Sequence, residues 1–263
     1  MRLYLEVARS SFRRYLAYRG ATLAGLFTNS IFGVLLASVY IALYRDRESG
    51  ATVAGFALTD LLTFVWISQS LIVVVSLWGW WDIANSIQSG DIVSDFMKPF
   101  NYYGYWVARD AGRASAQVLM RGIPTLIIGA VLFDMRLPES GWSWLAFPAS
   151  VVLAVAVSFG LRFILNVLAF WLMDIAGIHA LSIAVVNLFS GMLLPLAFFP
   201  GWFETLANVL PFRSMIMSPV QAYLGQGNVA VILLGQVAWL TILVLGGLGL
   251  LRIATKRVAI QGG

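Results

Sequence analysis

Six stretches of about twenty residues, near 21–43, 56–78, 114–133, 143–168, 178–199 and 229–251, are apolar with few interruptions. An α-helix of about twenty residues matches the ~30 Å hydrocarbon core of a bilayer. No other feature limits the possible folds as much. A soluble domain carries roughly a quarter charged residues. This chain of 263 residues is 11% charged and 60% hydrophobic, with a mean hydropathy of +0.85. A water-soluble fold of this size could not hide that much apolar surface, so lipid must serve as solvent for most of it. The expected fold class is an all-α polytopic membrane protein with six transmembrane helices. The third run holds Arg121 and Pro124, and the fourth holds Pro148 and Arg162. Pro is tolerated in such helices where neighbours satisfy the freed carbonyl.

The basic residues set the direction. With the N-terminus inside, the inner segments hold Arg2, Arg9, Arg13, Arg14, Arg19, Lys98, Arg109, Arg113, Arg252, Lys256 and Arg257, 11 of the 17. The outer segments hold Arg45, Arg47, Arg136 and Arg213, and Arg121 and Arg162 fall within spans. This bias predicts both termini in the cytoplasm and an even number of spans. It also accounts for the net charge of +5 without a nucleic-acid partner. Five arginines precede the first apolar run, which is long enough to span, so no cleavable signal peptide is expected.

Three segments lie outside the spans. Residues 1–20 form a predicted amphipathic helix, with Arg2, Glu6, Arg9 and Arg13 on one face and Leu5, Ala8, Phe12 and Tyr15/Leu16 on another. Such a helix suits the membrane interface, as a lipid anchor or a partner contact. The inner loop 79–113 is far longer than the other connections and carries Asp82, Asp91, Asp95 and Asp110. Ile83, Ile87, Ile92 and Phe96 have helical spacing around Ser89-Gly90, and Pro99 ends the pattern. We expect two short helices meeting at Gly90, with Asp91 capping the second and Ile87 and Ile92 offering apolar knobs to a partner. Phe100, Tyr102, Tyr103, Tyr105 and Trp106 then suit the headgroup layer. The outer segment 200–228 is too rich in Pro and polar residues to span, yet Trp202, Phe203, Leu206, Val209, Leu210 and Phe212 are too apolar for a free loop. Short helices dipping into the outer leaflet would satisfy both.

Several chemistries are excluded. There are no cysteines, and the one histidine, His179, cannot form a His-based metal cluster. Neither lysine, Lys98 or Lys256, follows a glycine, so there is no phosphate-cradling Gly-Lys pair. Proton- or sodium-coupled transporters need a carboxylate near the midplane. The one candidate, Asp60, sits at the outer end of the second span, where it is read as reaching headgroup water. Arg162 is read as snorkelling to the cytoplasmic interface, and Asp174 and His179 as solvated turn residues. There is no G-x-x-x-G, so helix contacts must rely on scattered small residues such as Gly25, Gly33, Gly129 and Gly160. With no visible energy source, any transport must be powered by another subunit.

Two segments resemble those of a known family. The inner stretch IQSGDIVSDFMKPFNYYGYW resembles the I-x-x-G…P segment of ABC type-2 permeases, the membrane subunits of ATP-driven exporters. The outer stretch SGMLLPLAFFPGWFETLANVLPFRSMIMSPVQAYLG resembles the same family's broken fifth span and following Pro-Phe region. Met97-Lys98-Pro99 stands where relatives often carry Leu-Arg-Pro.

The resemblance covers nearly the whole chain. It implies a six-span domain over 21–263 in the bacterial cytoplasmic membrane. It also implies a separate ABC ATPase dimer that holds the ATP and Mg, and a second permease subunit, identical or related. No cofactor is expected in this chain. Ile87, Ser89, Gly90, Asp91, Lys98 and Pro99 would belong to the segment that couples to the ATPase, with Ile92 beside them. Pro195, Pro200, Pro211, Phe212 and Pro219 would shape a re-entrant outer hairpin on the exit path. Substrates of such exporters include drugs, antibiotics, lipids and glycans. An ATP-independent scaffold or channel subunit remains the alternative, and a secondary transporter a weaker one.

Overall fold

A computed structural model describes residues 1–48, 50–76, 78–172 and 175–261, with side chains through Lys256. Among these residues the protein is helical throughout, apart from one isolated bridge between Val53 and Phe56. Four helices are long and apolar enough to cross a membrane: α2 (Arg19–Tyr44), the continuous run Tyr102–Leu132, the run Gly141–Phe170 and Val229–Lys256. Two further apolar helices are shorter, α3 (Leu58–Val74, 17 residues) and α9 (Ala176–Phe189, 14 residues). At 1.5 Å per residue they measure about 26 and 21 Å. The run expected to continue to 199 stops at Phe189. There Ser190 and Gly191 (φ +76°) turn the chain, and the left-handed backbone at Gly191 is one that only glycine adopts without strain.

The largest departure from expectation is the third long helix. It begins at Tyr102, so α6 (Tyr102–Gln117) already contains Arg109, Asp110 and Arg113, which had been assigned to a loop. A π-helical turn, Val118–Gly122, joins α6 to α7 (Ile123–Leu132) just ahead of Pro124. A proline lacks the amide proton an α-helix needs there, and a widened turn absorbs the mismatch. The fourth long helix, α8 (Gly141–Val167), runs through Pro148 unbroken.

The four glycines singled out as contact points all serve close packing. A Cβ at Gly33 or Gly129 would lie 3.0 or 2.4 Å from the indole of Trp66, which is fully buried on α3 between these two glycines. At Gly160 it would meet Leu243 at 2.9 Å, and at Gly25 the guanidinium of Arg121 at 2.4 Å. Absence of side chains lets helices approach without a partner motif.

The N-terminal helix α1 (Arg2–Ala17) docks along α6. Ser11 donates to the Arg109 carbonyl at 2.7 Å, and the Tyr4 hydroxyl accepts from Asn101 N at 3.1 Å. The docked face is therefore Tyr4, Ala8, Ser11 and Tyr15, while Leu5 of the expected apolar stripe stays exposed.

The bundle has two distinct ends. One carries α1 on α6, together with the inner-loop helices and Ala254 near the end of α12 (Val229–Gln261), which converge on one aromatic cluster. The other carries the 45–57 and 133–140 connections and the segment 190–228. Asp60 lies at that second end but does not reach water. It is buried, accepts from Ala57 N at 3.0 Å, and pairs with Arg136 at 2.8 Å. Its partners there stabilise the first turn of α3.

Candidate functional site

Helix α3 ends at Val74, and the carbonyls of its last turn retain free acceptor capacity. Side chains from two other helices supply them. Arg113 of α6 donates to Val73 O at 2.8 Å and Val74 O at 2.9 Å, and Ser158 of α8 donates to Val75 O at 2.5 Å. Arg113 also donates to Asp110 at 2.7 Å. Asp110 in turn receives both ends of the Arg162 guanidinium, at 3.1 and 2.9 Å, and the Trp80 indole N–H at 3.3 Å. All three charged residues are buried. Two cations share one carboxylate, and the negative end of the α3 dipole offsets the remaining positive charge. Arg162 therefore does not snorkel. It is one arm of an ion-paired junction of α3, α6 and α8 centred on Asp110.

The inner loop is anchored to this junction. Asn166 accepts from Ala84 N at 3.0 Å and donates to the carbonyls of Trp80 and Arg162, at 2.9 and 2.8 Å. The Trp80 ring stacks on Trp106 at 5.0 Å, with the Arg162 guanidinium 5.4 Å from its centre. Arg109 pairs with Asp82 at 2.7 Å. Of the aromatic stretch after Pro99, two rings turn inward, while Phe100, Tyr103 and Tyr105 stay partly exposed. Tyr102 and Trp106 are buried with Ile83, Phe159 and Phe163 in the chain's own core.

From this base projects an elbow of two short helices, α4 (Asp82–Ser89) and α5 (Ile92–Phe96). Gly90 turns the chain between them at φ +82°, as its lack of a Cβ permits. The expected knobs do not point outward. Ile92 is 2% exposed within the aromatic cluster, and Ile87 packs partly against it. Helical spacing had identified the apolar residues correctly but not which surface they cover. The apolar groups left at the surface are Val93 and Met97, 48% and 82% exposed. Ser89, Gly90, Asp91, Lys98 and Pro99 are exposed beside them. Asp91 precedes α5 without capping it. Its carboxylate accepts instead from Ser89 Oγ at 2.7 Å. Lys98 pairs with Asp95 at 2.6 Å, which raises the pKa of the lysine above its usual value.

At the opposite end, Pro195 opens the turn Leu196–Phe198, Pro200 precedes α10 (Gly201–Val209), Pro211 begins the 3-10 turn Pro211–Met215, and Pro219 sits within α11 (Met217–Leu224). Phe212 lies 6.0 Å from Phe189, ring to ring. Helix α11 is buried along nearly its whole length, whereas α10 exposes Trp202, Leu206 and Val209. Buried Gln236 of α12 ties the hairpin down, donating to Ser214 O at 2.8 Å and Ser150 O at 3.1 Å and accepting from Ser150 Oγ at 2.8 Å. His179 is half-buried in the first turn of α9, its ring 4.6 Å from that of Trp81, rather than a solvated turn residue. Asp174 and the side chain of Arg257 lie outside the described residues.

These features define a multi-pass helical membrane protein with a structured elbow at one end of the bundle. Residues 32–262 match the family model described as ABC-2 family transporter protein, so the chain belongs to the ABC-2 transporter family. It is a membrane permease of the ABC type, and that family works with an ABC ATPase. No curated protein matches the chain.

Proposed function

We propose that this chain is the permease subunit of an ATP-driven exporter. It would cross the membrane six times, with α3 and α9 as the short second and fifth crossings and both termini in the cytoplasm. It would pair with a second permease, and a separate ATPase dimer would bind the ATP and Mg. The elbow α4–α5 would receive the ATPase, and the hairpin 190–228 would border the exit for a hydrophobic or amphipathic substrate. One observation carries this reading: the elbow combines an exposed apolar tip with a base locked into the α3–α6–α8 junction. A partner pushing on Val93 and Met97 would thereby move three membrane helices together, whereas a loop without that base would dissipate the push.

The test is co-purification of the ATPase with Val93→Asp and Met97→Asp variants. Burying such a side chain contributes roughly 1.5–3 kcal/mol, so each change should lower ATPase recovery tenfold or more. Both residues are exposed, so the permease alone should keep its unfolding temperature. Undiminished ATPase recovery in both variants would remove the elbow from the coupling path.

A further inference from the structure

The hairpin end holds a half-open cavity of about 330 Å³ whose wall includes Asn208, Arg213, Gln221, Gln226, Gln236 and Trp239. Arg213 is the one charged residue in that wall. Among the described residues it forms no ion pair. One terminal nitrogen donates to Gln221 Oε1 at 2.5 Å, while its Nε is buried without a hydrogen-bond partner. A second space of about 310 Å³ is continuous with it through Asn208, Arg213, Gln221, Gln226 and Gly227 and holds Glu204, whose charge acts on Arg213 without forming an ion pair with it among the described residues. The guanidinium is not on a loose loop. It stands on the Pro211–Met215 turn, which Gln236 fastens to α8 and α12 through Ser214 O and Ser150.

We propose that this cavity is a binding site for a phosphate oxyanion, held by the Arg213 guanidinium and the surrounding side-chain amides. An unpaired guanidinium on a rigid turn presents planar donors that match two phosphate oxygens at once. The cavity borders the first turns of α12 from Val231 to Trp239, beside Asn228 just ahead of that helix, and either a free anion or a lipid headgroup supplies such an oxyanion. The assignment rests on the cavity itself and is independent of the direction of transport.

The full-length chain in maltoside micelles, which contain no phosphate, provides the test. Unfolding midpoints are followed by tryptophan fluorescence in two titrations: inorganic phosphate at ionic strength matched with chloride, and phosphatidylglycerol added to the micelles. A ligand of the folded state raises the midpoint with concentration. In wild type at least one titration should do so. Arg213→Gln should weaken the apparent affinity tenfold or more, and Arg213→Lys, which keeps the charge but loses the fork, several-fold. Arg47→Gln, an exposed arginine at the same end, should match wild type. A response to phosphate alone assigns the site to a free anion, and a response to the lipid alone assigns it to a headgroup. No response in wild type, or equal responses in wild type and Arg213→Gln, overturns the proposal. Should Arg213→Gln fail to fold, an unweakened response in Arg213→Lys overturns it equally.

Discussion

At the end that carries the termini, three helices meet on a buried carboxylate. At the opposite end, the hairpin and two helices meet on a neutral amide. Asp110 gathers Arg113, Arg162 and Trp80, and Gln236 gathers Ser150 and Ser214. Both are buried side chains that receive or supply several hydrogen bonds across helices. They differ in what happens when one partner is lost. A buried charge left unpaired costs roughly 3–5 kcal/mol, whereas a buried neutral group left unpaired costs about 1–3 kcal/mol. The charged junction therefore favours one arrangement of α3, α6 and α8, which suits the motion-transmitting role proposed for it. The amide junction tolerates change, which suits the hairpin in its proposed place beside the exit.

The comparison is tested most severely by Asp110→Ala. Two buried guanidinium groups would lose their counter-ion, a loss of roughly 3–5 kcal/mol. We expect a large fall in the unfolding midpoint of the purified subunit, or no monodisperse protein at all. Replacing Asp110 and Arg162 together, by Leu and Met, should be milder than the single change, because the worst-placed charge is then gone. If the double variant is the less stable of the two, the junction is not held by the ion pair.

Gln236→Leu keeps the volume and removes the amide, stranding Ser214 O and the Ser150 hydroxyl. The expected loss is about 1–3 kcal/mol, read as a smaller fall in the same midpoint. A drop as large as that of Asp110→Ala would erase the distinction between the two ends.

Gly112→Ala probes the terminal end without touching its charges. The new methyl would lie 2.1 Å from the Ala8 carbonyl oxygen, closer than any packing allows. The loss is capped at what docking of α1 contributes, about 1–2 kcal/mol by comparison with overpacked sites, since α1 can lift away while the bundle stays folded. Faster backbone hydrogen exchange confined to residues 2–17 would show this. Exchange rising instead across α3 and α8 would make α1 part of the core junction.

How much of this was legible follows from the kind of signal each feature leaves. Long apolar runs and the Gly90 turn leave local signals, and the helices Arg19–Tyr44 and Gly141–Val167 lie close to the spans read from the sequence. The contact glycines were legible because an apolar helix has little other use for them. The junction was not. Asp110, Arg113 and Arg162 are separated by up to 52 residues, and each alone reads as an interfacial charge. Only their meeting in space makes them a core, and a single sequence does not show who meets whom. Arg113 in particular is explained by carbonyls that α3 exposes by ending at Val74, an ending that Leu58–Val74 does not announce. The elbow was legible in outline but its facing was not, because Ile92 has a helical partner spacing on either side and the aromatic cluster decides which side is buried.

The smallest effect expected is at Asp91, and it separates a cap from an exposed contact. Sequence places an acid just ahead of α5, where a capping carboxylate typically adds about 1 kcal/mol. In the structure no backbone amide of α5 reaches that carboxylate, which accepts from the Ser89 hydroxyl in full view of solvent. Asp91→Ala should therefore change the stability of the isolated subunit by no more than about 0.5 kcal/mol, the range of ordinary surface substitutions. Ser89→Ala should behave the same way, since it removes the other half of the same exposed bond. Equilibrium unfolding of both variants beside wild type is the measurement. A loss near 1 kcal/mol confined to Asp91→Ala would mean that the carboxylate turns back to cap α5 in solution, making the tip of the elbow a rigid helix start. Equal and small losses in both would leave Asp91 and Ser89 as surface groups, available to whatever the elbow meets.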